Sequence, residues 1–157
     1  MKDDRAQVNL AYLGQVRVFD GDGGELGAGA VDAIFVNAGT THPRAIWTDS
    51  LRCGGRLLLP ITASHDSSGI GIGGMFLVTR ESAGFAAELV SPVGIFPCLG
   101  SRDPRLNAEL SRKQGPDWRA VRSLRPEPHE PDDTCWLHTL EGCLSLRRPP
   151  SGEPTTT

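Results

Sequence analysis

The stretches 31-VDAIFVNAG-39 and 51-LRCGGRLLLPIT-62 decide the fold of this 157-residue chain. The first is a nearly continuous apolar run with β-branched residues, and residues 56–62 repeat the pattern. Such runs are typical of strands that are covered on both faces of a parallel sheet. Pro43 suits the first turn of a helix between them, and Cys53-Gly54-Gly55 is expected to close that helix. The sequence therefore predicts a right-handed strand-helix-strand unit.

The segments before this unit predict a helix, a strand and a turn. Apolar residues at helical spacing favour a helix over residues 3–13, with Gly14 as its stop. Residues 15–19 alternate as in a short strand, and the glycine-rich stretch 20–24 is typical of a turn. A long glycine-rich loop then leads to Ala30.

After the unit, the pattern becomes that of hairpins. Residues 75–79 and 85–90 predict two antiparallel strands. Asp103 as N-cap and Pro104 after it predict a short helix that runs to Gly115. Residues 135–138 and 143–146 predict a second, smaller pair of strands.

Composition excludes several classes of protein. A net charge of -3 and a pI near 5.8 give no general attraction to nucleic acid or anionic lipid. The longest apolar stretch, residues 57–61, is far below the roughly 20 residues that span a bilayer. Four scattered cysteines suggest reduced thiols. We therefore expect a cytoplasmic protein without a membrane or nucleic-acid partner.

Four segments together resemble a known family. They are VRVFDGDG (16–23), VDAIFVNAG (31–39), LRCGGRLLLPIT (51–62) and VSPVGIFPCLG (90–100). In this order and spacing they are similar to the second half of the protein-L-isoaspartate O-methyltransferase family, whose members use S-adenosylmethionine. The match covers about residues 5–100, and Phe-Pro-Cys-Leu-Gly is its most specific part. The resemblance implies a doubly wound, Rossmann-like α/β sheet, with the cofactor across the carboxyl ends of the strands.

The resemblance also implies that part of the domain is missing. The family's glycine-rich cofactor loop follows the first strand, and neither it nor the acidic residue after the second strand is located in this sequence. We expect the chain to lack both strands and to bind S-adenosylmethionine weakly or not at all. The expected division is a partial methyltransferase domain (1–100), a helix-plus-hairpin extension (101–148) and a disordered tail (149–157).

The cofactor-side candidates come from the resemblance. Asp22 matches the family's acid near the adenine ring, and Gly23 allows close approach of the backbone. Asn37 and Ala38 would face the methionine end of the cofactor. The alternatives are a turn aspartate that caps local amides and plain strand termination.

The substrate-side candidates lie after the 31–38 strand and in the family's peptide-binding cleft. They are Gly39, Thr40, Thr41, His42, Ile95, Phe96 and Pro97. The alternatives are a solvated N-cap before Pro43 and a buried apolar connection. No catalytic residue is assigned, because an ionised carboxylate needs no general base to attack a sulfonium methyl group. Orientation and exclusion of water then provide the catalysis.

Two other motifs are set aside. Gly69, Gly71 and Gly74 fit G-x-G-x-x-G, but the strand-like residues 75–79 follow where a phosphate-binding loop would open a helix. A second motif contains four metal-type ligands, His129, Cys135, His138 and Cys143. Their spacing is not a common zinc pattern, so we expect no metal and a hairpin that simply packs on the domain.

The expected function is transfer of a methyl group from S-adenosylmethionine to a carboxylate of a damaged, isoaspartyl protein or peptide, as in protein repair. This chain alone is expected to be inactive. Asn-Ala-Gly-Thr-Thr-His replaces the family's alanine-rich sequence after the 31–38 strand, so another carboxylate acceptor is an alternative. A non-catalytic half-domain is a third hypothesis, because strand edges left exposed by missing strands favour pairing with another chain or self-association.

Overall fold

A computed structural model describes residues 5–25, 27, 29–64, 69–113 and 115–150. These residues form one mixed α/β sheet of seven strands with few helices. The helices are α1 (Arg5–Leu10), α2 (Ala45–Asp49), α3 (Pro104–Leu110) and α4 (Gly115–Trp118). The strands are β1 (Val31–Phe35), β2 (Leu51–Ser64), β3 (Gly71–Glu81), β4 (Gly84–Ile95), β5 (Ser123–Arg125), β6 (Cys135–Thr139) and β7 (Gly142–Ser145).

The strand order is β1-β2-β3-β4-β5-β7-β6. β1 and β2 are parallel and α2 connects them, so the predicted strand-helix-strand unit is confirmed. All the other pairs are antiparallel, which confirms the β3-β4 hairpin and the β6-β7 hairpin. Strands β5 to β7, from the expected extension, continue the same sheet. β5 was not predicted, because its three residues carry too short a pattern.

Two sequence predictions in the first half are wrong. Residues 15–19 form no strand, because alternation alone does not hold a strand that finds no partner. Cys53-Gly54-Gly55 lies inside β2 and does not close α2. Gly54 has φ +79°, a conformation that favours glycine, and it sits where the β1-β2 register shifts. The glycines therefore form a bulge and not a helix end.

The predictions for helices and glycine loops had mixed outcomes. α3 starts as expected, with Asp103 Oδ1 accepting hydrogen bonds from the main chain of Arg105 at 2.7 Å and Leu106 at 3.2 Å. It ends at Leu110, however, and Gly115 begins α4. The rejection of the G-x-G-x-x-G motif is confirmed, because Gly71 begins strand β3 and no helix follows.

The second half of the chain is joined to the sheet by an aromatic cluster, which we define as Phe76, Trp118 and Trp136. The Phe76 ring centroid lies 6.1 Å from each tryptophan, and the tryptophans are 5.0 Å apart in an edge-to-face arrangement. Phe76 is completely buried. Because the three residues come from β3, α4 and β6, the cluster makes one core out of both parts of the chain.

The outer edge of the sheet is formed by β1. Among the described residues, no strand pairs with the side of β1 that faces away from β2. Phe35 is 61% exposed there. None of the helices in the described ranges is long and apolar enough to cross a bilayer. Most of the tail that was predicted to be disordered, residues 151–157, lies outside the described residues.

Replacement of the central aromatic ring tests this core. Phe76→Ala should lower the free energy of unfolding by about 3–5 kcal/mol, because the ring is fully buried and its removal leaves a cavity. Urea denaturation followed by tryptophan fluorescence measures the change. Leu99→Ala, at a side chain that is 99% exposed, is the control and should change stability by less than about 0.5 kcal/mol. Equal effects of the two substitutions would contradict the assigned core.

Candidate functional site

Residues 39–41, which we call the junction, follow β1 and are hydrogen-bonded to two other parts of the chain. Five main-chain hydrogen bonds of 2.8–3.1 Å connect the junction to Pro60, Thr62, Phe96, Cys98 and Ser101. The junction thus holds the end of β2 and the segment after β4 together. This is the carboxyl edge of the parallel pair, where open α/β sheets bind ligands.

The junction residues are tightly packed. A Cβ atom at position 39 would lie 2.5 Å from Thr62 Oγ1 and 3.2 Å from Ile95 Cγ2, so glycine is required for close approach. Thr40 and Thr41 are fully buried. The Thr40 hydroxyl donates to Pro60 O at 3.0 Å, and Thr41 Oγ1 accepts from Asp103 N at 2.9 Å. Both hydroxyls therefore hold the chain together, and their contact with a substrate stays a prediction.

His42 is half-buried beside the junction. Its Nδ1 lies 3.0 Å from Thr41 Oγ1, and its Nε2 lies 3.8 Å from Glu141 Oε1. Burial has the largest effect and lowers the pKa of the His42 imidazole. The Glu141 carboxylate raises this pKa, the Arg44 guanidinium lowers it, and the Asp103 carboxylate raises it by the smallest amount. Because burial dominates, the neutral imidazole is favoured in the folded protein.

Glu141 is a site residue that the sequence did not predict. It lies in the turn between β6 and β7, 96 positions from the backbone N–H of Ala45, which donates to its Oε2 at 2.6 Å. Arg44 Nε forms an ion pair with its Oε1 at 2.9 Å. Glu141 thus binds the first turn of α2 across the fold. A glutamate next to a hairpin glycine carries no sequence signal for this role.

Arg102 is the second site residue that the sequence did not predict. Its Nη1 donates to Gly39 O and to Thr62 Oγ1, both at 3.1 Å. Its Nη2 donates to Ser64 Oγ at 3.4 Å and to Asn107 Oδ1. Burial lowers the pKa of the guanidinium, although an arginine stays charged at neutral pH.

A cavity of about 330 Å³ lies beside this guanidinium. It is lined by Ser64, Arg102, Asp103, Pro104 and Asn107. Ser64, the last residue of β2, places the cavity at the carboxyl end of that strand, and Arg102 connects it to the junction through its hydrogen bond to Gly39 O. A larger groove of about 710 Å³, between β3, β4 and residues 121–150, contains none of the sequence-predicted site residues.

Asp22 lies close to the junction but acts on its own turn. Its Oδ1 accepts from Gly24 N at 2.8 Å, and a Cβ atom at position 100 would lie 1.9 Å from its Oδ2. The Trp47 indole donates to Gly23 O at 2.8 Å and fastens the turn to α2. The turn-capping alternative is therefore observed for Asp22.

The other candidates occupy the rim of the junction. Asn37 and Phe96 are exposed, whereas Ala38, Ile95 and Pro97 are half-buried. The structure brings Gly39 together with residues 95–97, through a main-chain hydrogen bond to Phe96, a bridge to Pro97 and close packing on Ile95. It does not give them the features of a cofactor pocket, because the carboxylate of Asp22 is used by its turn and the space at Gly39 is filled by Thr62 and Ile95. The described residues by themselves do not fit S-adenosylmethionine.

Comparisons with solved structures find similar chains, two of which are described below. No protein-family model matches the sequence, and a search of curated proteins finds no match. One similar structure is assigned as a protein-L-isoaspartate O-methyltransferase (beta-aspartate methyltransferase) from Plasmodium falciparum, in complex with S-adenosyl-L-homocysteine. It is 17% identical, covers 60% of this chain and 43% of that one, and has a TM-score of 0.43.

A second similar structure is described as a protein-L-isoaspartate O-methyltransferase. It is 22% identical, with 76% of this chain and 35% of that chain covered and a TM-score of 0.47. The chain therefore spans less than half the length of either protein.

The neutral state of His42 predicts a pH dependence of stability. A lowered pKa in the folded state means that the unfolded state binds more protons as the pH falls below about 6.5. The contribution of His42 is therefore complete above that pH and decreases as the pH falls towards its folded-state pKa. Between about pH 7.5 and about pH 5.5, the parent protein should lose more free energy of unfolding than His42→Gln.

Urea denaturation at both pH values measures this difference. All the other titrating groups are common to the two proteins, so their effects cancel in the comparison. The same loss of stability in both proteins would show that burial does not keep His42 neutral.

Proposed function

We propose that this chain is a methyltransferase-like protein that provides the acceptor side of a protein-L-isoaspartate O-methyltransferase-like site. The resemblance supports this proposal, because three of its four segments, 31–39, 51–62 and 90–100, meet at the junction. S-adenosylmethionine is the proposed methyl donor, with Asp22, Gly23, Asn37 and Ala38 at its edge. Because the described residues do not fit the cofactor alone, the proposal requires further residues to complete that pocket.

The observation that carries the proposal is the position of Arg102. Arg102 lines the cavity at the carboxyl end of β2, and its Nη1 donates to the junction carbonyl of Gly39 at 3.1 Å. A methyl acceptor of this family is a carboxylate, and a partly buried arginine binds carboxylates through charge-assisted hydrogen bonds. We therefore propose that the acceptor carboxylate enters the cavity beside Arg102 and replaces the contacts of its Nη2 with Ser64 and Asn107. Thr41, His42 and residues 95–97 are proposed to contact other parts of the acceptor.

The proposed acceptor is an isoaspartyl peptide, and a different carboxylate is the alternative. The exposed Phe96 and the half-buried Ile95 and Pro97 give the rim an apolar surface on which a peptide could lie. A proposed location in the cytoplasm agrees with four free cysteines.

Binding of the acceptor can be measured without the cofactor. A fluorescent isoaspartyl peptide should bind this chain more tightly than the matched aspartyl peptide in an anisotropy titration. Arg102→Gln should weaken binding by about tenfold or more, because a charge-assisted hydrogen bond contributes roughly 1.5–3 kcal/mol. Arg112→Gln, at an exposed arginine just after α3, is the matched control. Equal binding of both peptides would favour the alternative acceptor, and unchanged binding by Arg102→Gln would contradict the assigned site.

Cofactor affinity tests the other half of the proposal. Isothermal titration of this chain with S-adenosylmethionine should show no saturable binding in the micromolar range, because Asp22 and Gly39 are engaged in intramolecular packing. A micromolar dissociation constant would mean that the described residues form a complete cofactor site, in contradiction to the proposal.

A second candidate function is a non-catalytic half-domain that acts through another chain. The observation in its favour is the exposed outer edge of β1, which carries Phe35. Such an edge presents unpaired main-chain groups to a strand of a partner or of a second copy.

Light scattering coupled to size-exclusion chromatography tests this candidate. The chain should elute as a dimer or larger species, and Phe35→Lys should shift it towards monomer, because a charged residue on an edge strand opposes pairing. Leu99→Lys introduces the same charge at a side chain away from β1 and should leave the assembly unchanged. A monomer at all concentrations would contradict pairing through this edge.

A further inference from the structure

Four metal-binding side chains meet on one side of the β6-β7 hairpin: His129, Cys135, His138 and Cys143. One ligand atom from each lies within 4.8 Å of all the others. His129 Nε2 is 3.3 Å from Cys135 Sγ, and Cys135 Sγ is 3.8 Å from His138 Nδ1. Cys143 is completely buried, and the other three are half-buried. This cluster plays no part in the candidate functional site.

The hairpin explains how an unusual spacing gives one cluster. His138 and Cys143 are directly paired across β6 and β7. Residues three apart in a regular strand face opposite sides, but the register shifts between Cys135 and Leu137. The irregularity places Cys135 on the side of His138, while Trp136 and Leu137 are buried in the core. Cys135, His138 and Cys143 therefore lie on the same side of the hairpin.

The loop before β6 supplies the fourth side chain. His129 Nδ1 lies 2.7 Å from Glu127 O, so this nitrogen donates to the carbonyl and Nε2 remains free to act as a ligand. The loop is fastened by an ion pair of 3.0 Å between Arg125 and Asp132. Thr134 N also donates to Asp132 Oδ1 at 2.9 Å. Metal-binding histidines in proteins usually donate their second ring nitrogen to a carbonyl or carboxylate, as His129 Nδ1 does to Glu127 O.

The distances agree with a tetrahedral zinc site. Zinc binds nitrogen at about 2.0–2.1 Å and sulfur at about 2.3 Å, so ligand atoms at the corners of a tetrahedron are roughly 3.3–3.8 Å apart. Two separations in the cluster, 3.3 Å and 3.8 Å, fall within this range. The remaining separations are at most 4.8 Å, so zinc binding would draw the four ligand atoms slightly closer together. Two thiolates and two imidazoles are also the ligands that select zinc over the hard cations magnesium and calcium.

We infer that His129, Cys135, His138 and Cys143 bind one zinc ion with two nitrogen and two sulfur ligands. Two thiolates balance the charge of Zn²⁺, and four protein ligands leave no open position, which is the arrangement of a structural site. The ion would tie the proline-rich loop 126–134 to the β6-β7 hairpin. The turn of the same hairpin carries Glu141, which binds the start of α2. Zinc would thereby stabilise the candidate functional site from a distance.

The same four side chains could also exist in two states without zinc, and the experiment distinguishes both from the metal site. One is a thiol-imidazole hydrogen-bond network, in which the Cys143 thiol donates to Leu144 O at 3.3 Å. The second is a disulfide between Cys135 and Cys143, although both are free thiols in the structure.

The experiment uses the full chain, reduced and stripped of metal. Zinc is titrated in competition with a chromophoric chelator, and cobalt(II) is added separately as a spectroscopic probe. We expect one zinc ion per chain, a higher melting temperature with zinc, and cobalt absorption bands typical of tetrahedral coordination with thiolate ligands. The intact mass of the untreated protein reports whether the two cysteines are oxidised.

Two ligand variants and one control localise the site. His129→Ala, on the loop, and Cys135→Ser should each weaken zinc binding by roughly 100-fold or more. Cys53→Ser, at an exposed cysteine of β2, should bind zinc like the parent. Circular dichroism checks that each variant is folded without metal. Absence of stoichiometric zinc binding, unchanged affinity of His129→Ala, or a mass lower by two hydrogens from a Cys135–Cys143 disulfide would each overturn the inference.

Discussion

The main-chain hydrogen bonds of the junction are the constraint on which the rest of the structure depends. Residues 39–41 are buried, and buried N–H and C=O groups without partners would cost free energy comparable to a lost hydrogen bond. The fold satisfies them by bringing the end of β2 and the segment after β4 to the same place. Glycine at position 39 follows from this convergence, because Thr62 and Ile95 leave no room for a Cβ atom. The positions of the polar residues beyond the junction therefore depend on these main-chain hydrogen bonds.

The C-terminal part of the chain is required for the site, although it lies outside the sequence resemblance. The aromatic cluster of Phe76, Trp118 and Trp136 buries it against β3, and strands β5 to β7 extend the same sheet. Glu141 then reaches the first turn of α2 from the far hairpin. The partly buried Glu141 carboxylate lies beside His42, Arg44 and the first backbone N–H of α2, and several weak interactions hold it there. The geometry around His42 therefore depends on residues almost 100 positions away.

The strand-helix-strand unit, the two hairpins and the N-cap of α3 could be predicted from the sequence, because each depends on neighbours along the chain. That residues 15–19 form no strand could not be predicted, because a strand needs a partner and a local pattern does not reveal whether one is present. The bulge at Gly54 was confused with a helix end, since glycine serves both conformations. The structure shows the contact of Gly39 with residues 95–97, whereas the cofactor and substrate roles of residues 37–42 and 95–97 stay predictions. The sequence did not show that the hydroxyls of Thr40 and Thr41 hold the chain together.

The sequence by itself determined the unit of β1, α2 and β2 with its parallel strands, the β3-β4 and β6-β7 hairpins, and the start of α3. These features follow from hydrophobic periodicity, turn chemistry and the handedness of the crossover. Only the tertiary structure decided that Arg102 and Glu141 belong to the site, and that His129, Cys135, His138 and Cys143 converge. The physical reason is the same for both groups. Their contacts depend on strand register, a β-irregularity and long-range packing, and none of these is encoded by residue spacing along the chain.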